Sequence, residues 1–467
     1  MTRRYWLETL GCPKNQVDSE KLAGTLTADG FRRADSPEDA DLVVVNTCAF
    51  IEAARQESID TVLALADARR EGARLVVTGC MAERYGDELA DALPEVDLVA
   101  PFGAALTGPD GDPGPAGDAT RGTPVALTRK PARPAPAFDL LNLPRPTTEV
   151  PWAYVKVAEG CDRNCGFCAI PSFRGKQRSR STASILEEVD QLGAGSGSLR
   201  EVVLVAQDLS SFALDRSSGR IVPALDGPAV GAGRPIVDLV RSVSERVAWT
   251  RLLYLYPSTL DDALVETILA TGVPYFDLSL QHVSRPLLKR MRRWGEGDRF
   301  LDRIAAIRGA EPTAAFRSSF IVGYPGETEA DHDRLLEWIG AARLDWVGFF
   351  PFSRETGTYA ADLDDQVPDE LVAERLRECG ELQDAITAAR RDELIGATVE
   401  VLVDAPGVGR TYREAPEIDG IVSLPGDLAP GTFVEVVVTG ADGPDLVAEP
   451  APAAPVADPR AVVGSPR

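Results

Sequence analysis

The chain has few histidines: two in 467 residues, His282 and His332, far apart in sequence. Neither stands near a cysteine group that it could complete as a metal ligand. There is no run of 18 or more apolar residues, which excludes a transmembrane helix by length. The opening "MTRRYWLETLGCPKNQ" has no apolar stretch of the kind a signal peptide carries. An even set of cysteines is also missing. Seven is an odd number and does not suit the disulfide framework of a secreted domain. Together these absences point to a reducing cytoplasm and no membrane partner, where clustered cysteines signal metal or catalysis. Basic charge is in deficit: 49 Lys and Arg stand against 72 Asp and Glu, a net of −23. Such a chain is repelled from bare nucleic acid unless a local basic face compensates, and a basic protein partner suits it better.

The length implies more than one domain, and 44% hydrophobic residues is enough to build real cores. Three β-like runs mark the first hundred residues: "RYWLETLGC", "DLVVVNTC" and "RLVVTGC". Each ends in a cysteine (Cys12, Cys48, Cys80), and each is followed by a helical pattern. Strand alternating with helix predicts a doubly wound parallel α/β domain over 1–102, whose ligands collect at the carboxyl ends of the strands. All three cysteines fall on that edge. A Gly/Pro/Asp-rich stretch opens a linker over 103–147. From 148 to 390 the alternation resumes with "WAYVKVA", "EVVLVAQ", "RLLYLYP", "YFDLSLQ", "RSSFIVG" and "WVGFFPF", which predicts a partial βα barrel. A surface insert is expected over 215–235, and a long amphipathic helix over 369–395 closes this unit. Short strands between Gly/Pro turns over 391–450 predict a small antiparallel β-barrel. The Pro/Ala-rich tail 451–467 is expected to be disordered. No internal repeat of constant period occurs.

The barrel's first strand runs into "AEGCDRNCGFCAIPSFRGKQRSR", which spaces Cys161, Cys165 and Cys168 as CxxxCxxC. A structural zinc closes four ligands, and a ferredoxin-type cluster also takes four cysteines. Three cysteines leave one iron of a cubane without a protein ligand, open to a substrate or cofactor. The loop's position places it at the catalytic face of a βα barrel. Cys12, Cys48 and Cys80, taken together, could hold a second cluster of the same open kind.

The CxxxCxxC loop in this setting resembles the radical S-adenosylmethionine (SAM) superfamily. "TLGCPKNQVDSE", "VVNTCAFIEAARQESID", "VTGCMAERY", "LSLQHVSRPLLKRMRR", "IVGYPGETEADH" and "GRTYREAPEIDGIV" resemble the methylthiotransferases. Within these they resemble the RimO type, which modifies an aspartate of ribosomal protein S-twelve. The resemblance spans residues 5–440 and implies an N-terminal methylthiotransferase domain, a radical SAM barrel and a C-terminal TRAM domain. It implies two 4Fe–4S clusters with SAM as cofactor. Cys161, Cys165 and Cys168 would hold the SAM-cleaving cluster, and Cys12, Cys48 and Cys80 an auxiliary one that carries or supplies sulfur. It further implies hydrogen abstraction at the aspartate β-carbon followed by methylthio transfer, with an electron donor such as flavodoxin or ferredoxin.

Sister enzymes of the family methylthiolate an adenosine of tRNA with the same six cysteines. "GCPKN" and "GRTYREAPEIDG" resemble the protein-modifying type. Residues 396–467 hold 11 Asp and Glu against 4 Arg, a net of −7, where a barrel gripping tRNA should be basic. Ribosomal protein S-twelve is therefore the expected partner and tRNA is not. An iron–sulfur carrier is the non-enzymatic alternative. The basic runs "RGKQRSR" and "LLKRMRRW" read as solvated loop charge. Phe167, Gln281, Arg317, Gly323 and Glu327 are the candidates for SAM contact. No catalytic acid or base is assigned. His282 is expected to be a satisfied structural histidine, His332 to be solvated and Cys379 to be an ordinary helix thiol. "QDLSSFALD" departs from the RimO pattern, with Phe212 where a tyrosine is usual.

Overall fold

The computed structural model describes residues 3–107, 140–195, 199–215 and 234–452. Most of the expected linker and the tail from 453, together with most of the insert at 215–235, lie outside the described residues.

The first unit is a five-stranded parallel sheet: β1 (Arg4–Thr9), β2 (Arg32–Arg33), β3 (Leu42–Thr47), β4 (Arg74–Gly79) and β5 (Leu98–Val99), in the order β2-β1-β3-β4-β5. Helices α1 (Pro13–Ala28), α2 (Glu52–Ala68) and α3 (Cys80–Ala92) cover both faces. The alternation of β3 explains this. Val43 and Val45 pack into one apolar layer with Val62 and Leu89, while Leu42 and Val44 pack into the other with Leu22 and Leu26. Strand order reverses between β1 and β3, so a crevice opens beyond their carboxyl ends.

The second unit carries six parallel strands in two sheets. Interleaved with them are β7 (Ala158–Glu159) and β8 (Arg178–Ser179), a short antiparallel pair beside the cysteine loop. β6 (Trp152–Lys156), β9 (Glu201–Val205) and β10 (Trp249–Leu252) form the first sheet. β11 (Tyr275–Gln281), β12 (Ala315–Val322) and β13 (Trp346–Pro351) form the second. A single parallel bridge, Leu255 to Leu278, joins the two into a partial barrel with β6 and β13 at its edges. Around it lie α4 (Ile170–Phe173), α5 (Thr182–Ala194), α6 (Pro235–Ser244), α7 (Asp262–Leu269), α8 (Arg285–Arg290), α9 (Gly297–Ala310) and α10 (Glu329–Ala342). The closing helix, α11 (Asp369–Asp392), ends three residues earlier than the sequence suggests.

β14 (Thr398–Ala405), β15 (Val408–Arg410), β16 (Val422–Ser423), β17 (Phe433–Asp442) and β18 (Asp445–Pro450) close into a small barrel. Its pairings are antiparallel except one: β16 runs parallel to β18. The loop 411–419 seats this barrel beneath the larger one. Tyr154 donates to the Pro416 carbonyl at 2.5 Å, Trp346 Nε1 to Arg413 O at 2.7 Å, and Tyr275 to Asp419 at 2.6 Å. Arg410 joins Glu201 at 2.8 Å with both side chains buried.

The first unit bridges the open edges of the larger barrel. α1 packs against β6, and Glu355, beyond β13, is gripped by Arg55 at 2.7 Å and Arg84 at 2.6 Å. No helix among the described residues is long and apolar enough to cross a membrane.

Candidate functional site

Three loops at the carboxyl edge of the first sheet carry its cysteines. Cys12 caps the amino end of α1, Cys48 follows β3 by one residue, and Cys80 opens α3 directly after β4. Two glycines let these loops close together. Gly11 has φ +95, and a Cβ there would lie 3.0 Å from Cys48 Sγ. Gly79 has φ +91, and a Cβ there would lie 2.6 Å from the Thr47 carbonyl oxygen. Asn15, fully buried, ties the first loop to the second. Its Nδ2 donates to Leu10 O at 2.9 Å and to Thr47 O at 3.0 Å.

Burial pushes the Cys48 thiol up to about 12 and raises Cys80, and Cys12 acts electrostatically on both. For Cys12 burial also raises the thiol, but Lys14 and Arg174 outweigh it, so the net shift is downward. The three cysteines expected together in the first unit are thus near enough to act on one another, with Cys48 and Cys80 buried and Cys12 half-buried.

The second set lies in the loop after β6 and β7. Burial raises Cys161 to about 11 and Cys168 to about 12, and Cys165 acts electrostatically on both. Two arginines serve this loop. Arg163 N donates to Cys161 Sγ at 3.4 Å, and its guanidinium pairs with Asp208 at 2.7 Å. Arg293 Nη1 donates to Cys165 Sγ at 3.2 Å. Both guanidiniums stack on Tyr256, at 3.9 and 4.4 Å from its centroid.

Between the two sets runs a buried ionic network. Arg174 Nη2 donates to Cys80 Sγ at 3.1 Å and to Asn15 Oδ1 at 2.6 Å. Its Nη1 meets both Glu159 oxygens at 2.9 Å and Asp18 at 3.2 Å. Lys156 pairs with the same two carboxylates, Asp18 and Glu159. Burial would raise the Glu159 carboxyl, but Arg174 and Lys156 hold it far below the usual range. One guanidinium, carried on the loop that follows Cys168, therefore orients a cysteine of the other unit.

These positions correct the reading of "RGKQRSR" as solvated charge. Arg174 and Arg180 are buried, and only Lys176 and Arg178 face outward. In "LLKRMRRW", Arg293 likewise turns inward to Cys165. His332 is buried, not solvated, with Nε2 2.8 Å from Glu378. His282 is buried and its Nδ1 accepts from Ser284 N at 3.0 Å. Cys379 is a buried free thiol. Phe212 lies in the main apolar core.

The candidates for SAM contact separate. Phe167 sits between Cys165 and Cys168 and packs on the main core, and Gln281 ends β11 with φ +72. Arg317 is engaged elsewhere, with Asp277 at 3.4 Å and Asp419 at 3.3 Å. Gly323 and Glu327 form a turn: Glu327 accepts from Gly323 N at 2.5 Å and pairs with Arg375 at 3.3 Å. Asn15, Asp18, Lys156, Glu159, Arg163, Arg174 and Arg293 are site residues that sequence reasoning did not single out. For all of them except Arg293 the clearest signal was proximity to a cysteine motif.

The donor chemistry suits thiolate-held iron–sulfur clusters. Each set is three thiols, and each has a guanidinium donating to a sulfur. Among the described residues no group of three His, Cys, Asp or Glu is arranged for a single metal ion. Ligands of one zinc lie only about 2.3 Å from it; a cubane is larger and spreads its thiolates around its corners.

Comparison with known proteins agrees with this division. Residues 4–101 match the uncharacterized protein family UPF0004, 155–339 the radical SAM superfamily and 395–450 the TRAM domain. Proteins described as "Ribosomal protein uS12 methylthiotransferase RimO" resemble the chain along nearly its whole length. That of Cutibacterium acnes is 41% identical over 95% of this chain and 97% of its own. That of Streptomyces coelicolor is 41% identical, over 96% and 97%. That of Chloroflexus aurantiacus is 39% identical, over 96% and 99%. Among solved structures, the radical SAM methyltransferase TsrM from Kitasatospora setae is 13% identical with a TM-score of 0.45, covering 85% of this chain and 91% of that one. A likeness at that level carries no argument about function.

Proposed function

The chain belongs to the RimO family of radical SAM methylthiotransferases acting on ribosomal protein uS12, and from that premise we propose how its residues divide the work. Cys161, Cys165 and Cys168 would hold a 4Fe–4S cluster with one iron left open for SAM. Cys12, Cys48 and Cys80 would hold a second. When bound, these groups supply one-electron cleavage of a sulfonium carbon–sulfur bond and a sulfur to be donated. The target is the β-carbon of a uS12 aspartate.

The protein's own contribution is position and charge. Asn15 fixes the Cys12 loop against the Cys48 loop, and Arg174 orients Cys80 from the barrel side. The Arg163 backbone amide donates to Cys161, and the Arg293 guanidinium places positive charge beside Cys165. Phe167 and Gln281 are the retained candidates for SAM contact. Arg317, Gly323 and Glu327 hold the barrel in shape, since their polar groups are committed within the protein.

The observation that carries this reading is the Arg174 bridge, which ties a cysteine of the first unit to the loop holding the other three. A net charge of −23 and the acidic third unit support a basic protein substrate over tRNA. A small one-electron carrier such as flavodoxin or ferredoxin suits as reductant, in the cytoplasm.

The test is anaerobic reconstitution with SAM, reductant and either uS12 or tRNA, followed by mass analysis of both. A methylthio mass gain on uS12 is expected; a gain on tRNA alone overturns the substrate, and no 5′-deoxyadenosine from SAM would point to a carrier. Cys165→Ala should abolish SAM cleavage. Cys48→Ala should spare cleavage and block sulfur insertion.

A further inference from the structure

Lys14 stands at the second position of α1, two residues from Cys12, and is only 8% exposed. Among the described residues its ammonium has no oxygen partner. It lies over the Tyr254 ring, 3.2 Å from the centroid. Tyr254 follows β10, on the barrel wall away from the β6 and β13 edges, so Lys14 reaches into the lumen. Of the groups that favour its charge, the Cys12 thiol acts most strongly, and the carboxylates that do so are Asp277 and Glu159. Both carboxylates are committed to others. Asp277 accepts from Tyr254 N at 2.9 Å and pairs with Arg317. Glu159 pairs with Lys156 and Arg174 and accepts from Gln207 at 2.8 Å.

Helix stability does not call for a lysine here, because the amino end of a helix already carries partial positive charge and disfavours a cation in its first turn. A buried ammonium without a bonded carboxylate is costly, and one aromatic face only partly replaces it. Tyr254 itself holds φ +64, a left-handed conformation that is costly for a bulky aromatic residue. The lumen therefore offers a positive helix end and an ammonium with no carboxylate bonded to it at the same point, beside the first thiol triad.

We infer that Lys14 is the counter-ion for the carboxylate of the target side chain, holding it over Tyr254 next to the Cys12 loop. This rests on the uS12 aspartate reading above. A carboxylate gains a charge-assisted bond there, whereas a neutral nucleobase gains none.

A double-mutant cycle on anaerobically reconstituted enzyme tests it. Affinity is measured for uS12 carrying its target aspartate, and for uS12 with asparagine in that place. Wild-type enzyme should prefer the aspartate form by about 10- to 150-fold. Lys14→Met should erase the preference, and Lys14→Arg should restore part of it. Iron content equal to wild type reports that the variants fold, and Lys14→Gln replaces Lys14→Met if the latter fails to load iron. A preference that survives in the variant lacking the charge overturns the inference, as does its absence from a wild type that still modifies uS12. A wild type that transfers no methylthio group to uS12 overturns the family reading instead.

Discussion

Replacing Arg174 by methionine removes every donor of the guanidinium while keeping a stem of similar length. Four acceptors lose their partner: Glu159, Asp18, Asn15 Oδ1 and Cys80 Sγ. Asp18 and Glu159 are then left facing one cation, Lys156, which pairs with both. Breaking a buried pair by removing one partner costs about 3–5 kcal/mol. For a unit of 150–250 residues each kcal/mol lowers the melting point by about 2–4 °C, so the drop should be about 6–20 °C. Arg174→Lys keeps a charge but cannot fork among four acceptors, and should recover only part of the loss. Anaerobic thermal unfolding with iron quantitation reads both effects. Because Cys80 loses its orienting donor, iron should fall from the Cys12–Cys48–Cys80 site before it falls from the other. An Arg174→Met protein that melts within about 2 °C of wild type and keeps its iron would refute the reasoning.

Gly79→Ala should cost about 1–3 kcal/mol, because φ +91 is strained for alanine and its Cβ would strike the backbone of Thr47; the displaced Cys80 should appear as lost iron. Burial, aided by His332 and Arg375 and opposed by Asp331, pushes the His282 imidazole down to about 4. The unfolded chain then takes up this proton below its ordinary value while the folded protein refuses it, so stability falls as pH drops through that range. By about pH 5.5 wild type should have lost about 1.2 kcal/mol more than His282→Asn, relative to neutral pH, as measured by urea unfolding. Parallel profiles for the two proteins would contradict this.

The parts of this fold that depend on local pattern were readable from the chain. β3 and β4 are continuous apolar runs because both faces of their sheet are covered, and each leads straight to its cysteine. Five of the six barrel strands lie close to where their apolar residues place them, while β10 (Trp249–Leu252) begins before the run "RLLYLYP" and covers only its start. β15 and β18 did not announce themselves: the first is three residues long, and the second, "DLVAEP", carries acidic residues and a proline. Within the site, the thiols were legible because cysteine is scarce and its spacing is informative. The charges were not, because a basic loop is exposed by default. Arg174 is buried only because Asp18, 156 residues earlier in the first unit, and Glu159, 15 residues earlier in its own, meet it. Nothing near Arg174 in sequence announces that pairing. The same holds for His332, whose partner Glu378 lies on another helix.

The account stands most directly on two clusters, each held by three cysteines. Iron and sulfide quantitation with Mössbauer spectroscopy on anaerobically reconstituted protein measures this. About eight irons per chain are expected, all in 4Fe–4S form, halved when Cys12, Cys48 and Cys80 are all replaced by alanine. A single cluster in the wild-type protein, or zinc in place of iron, would contradict it.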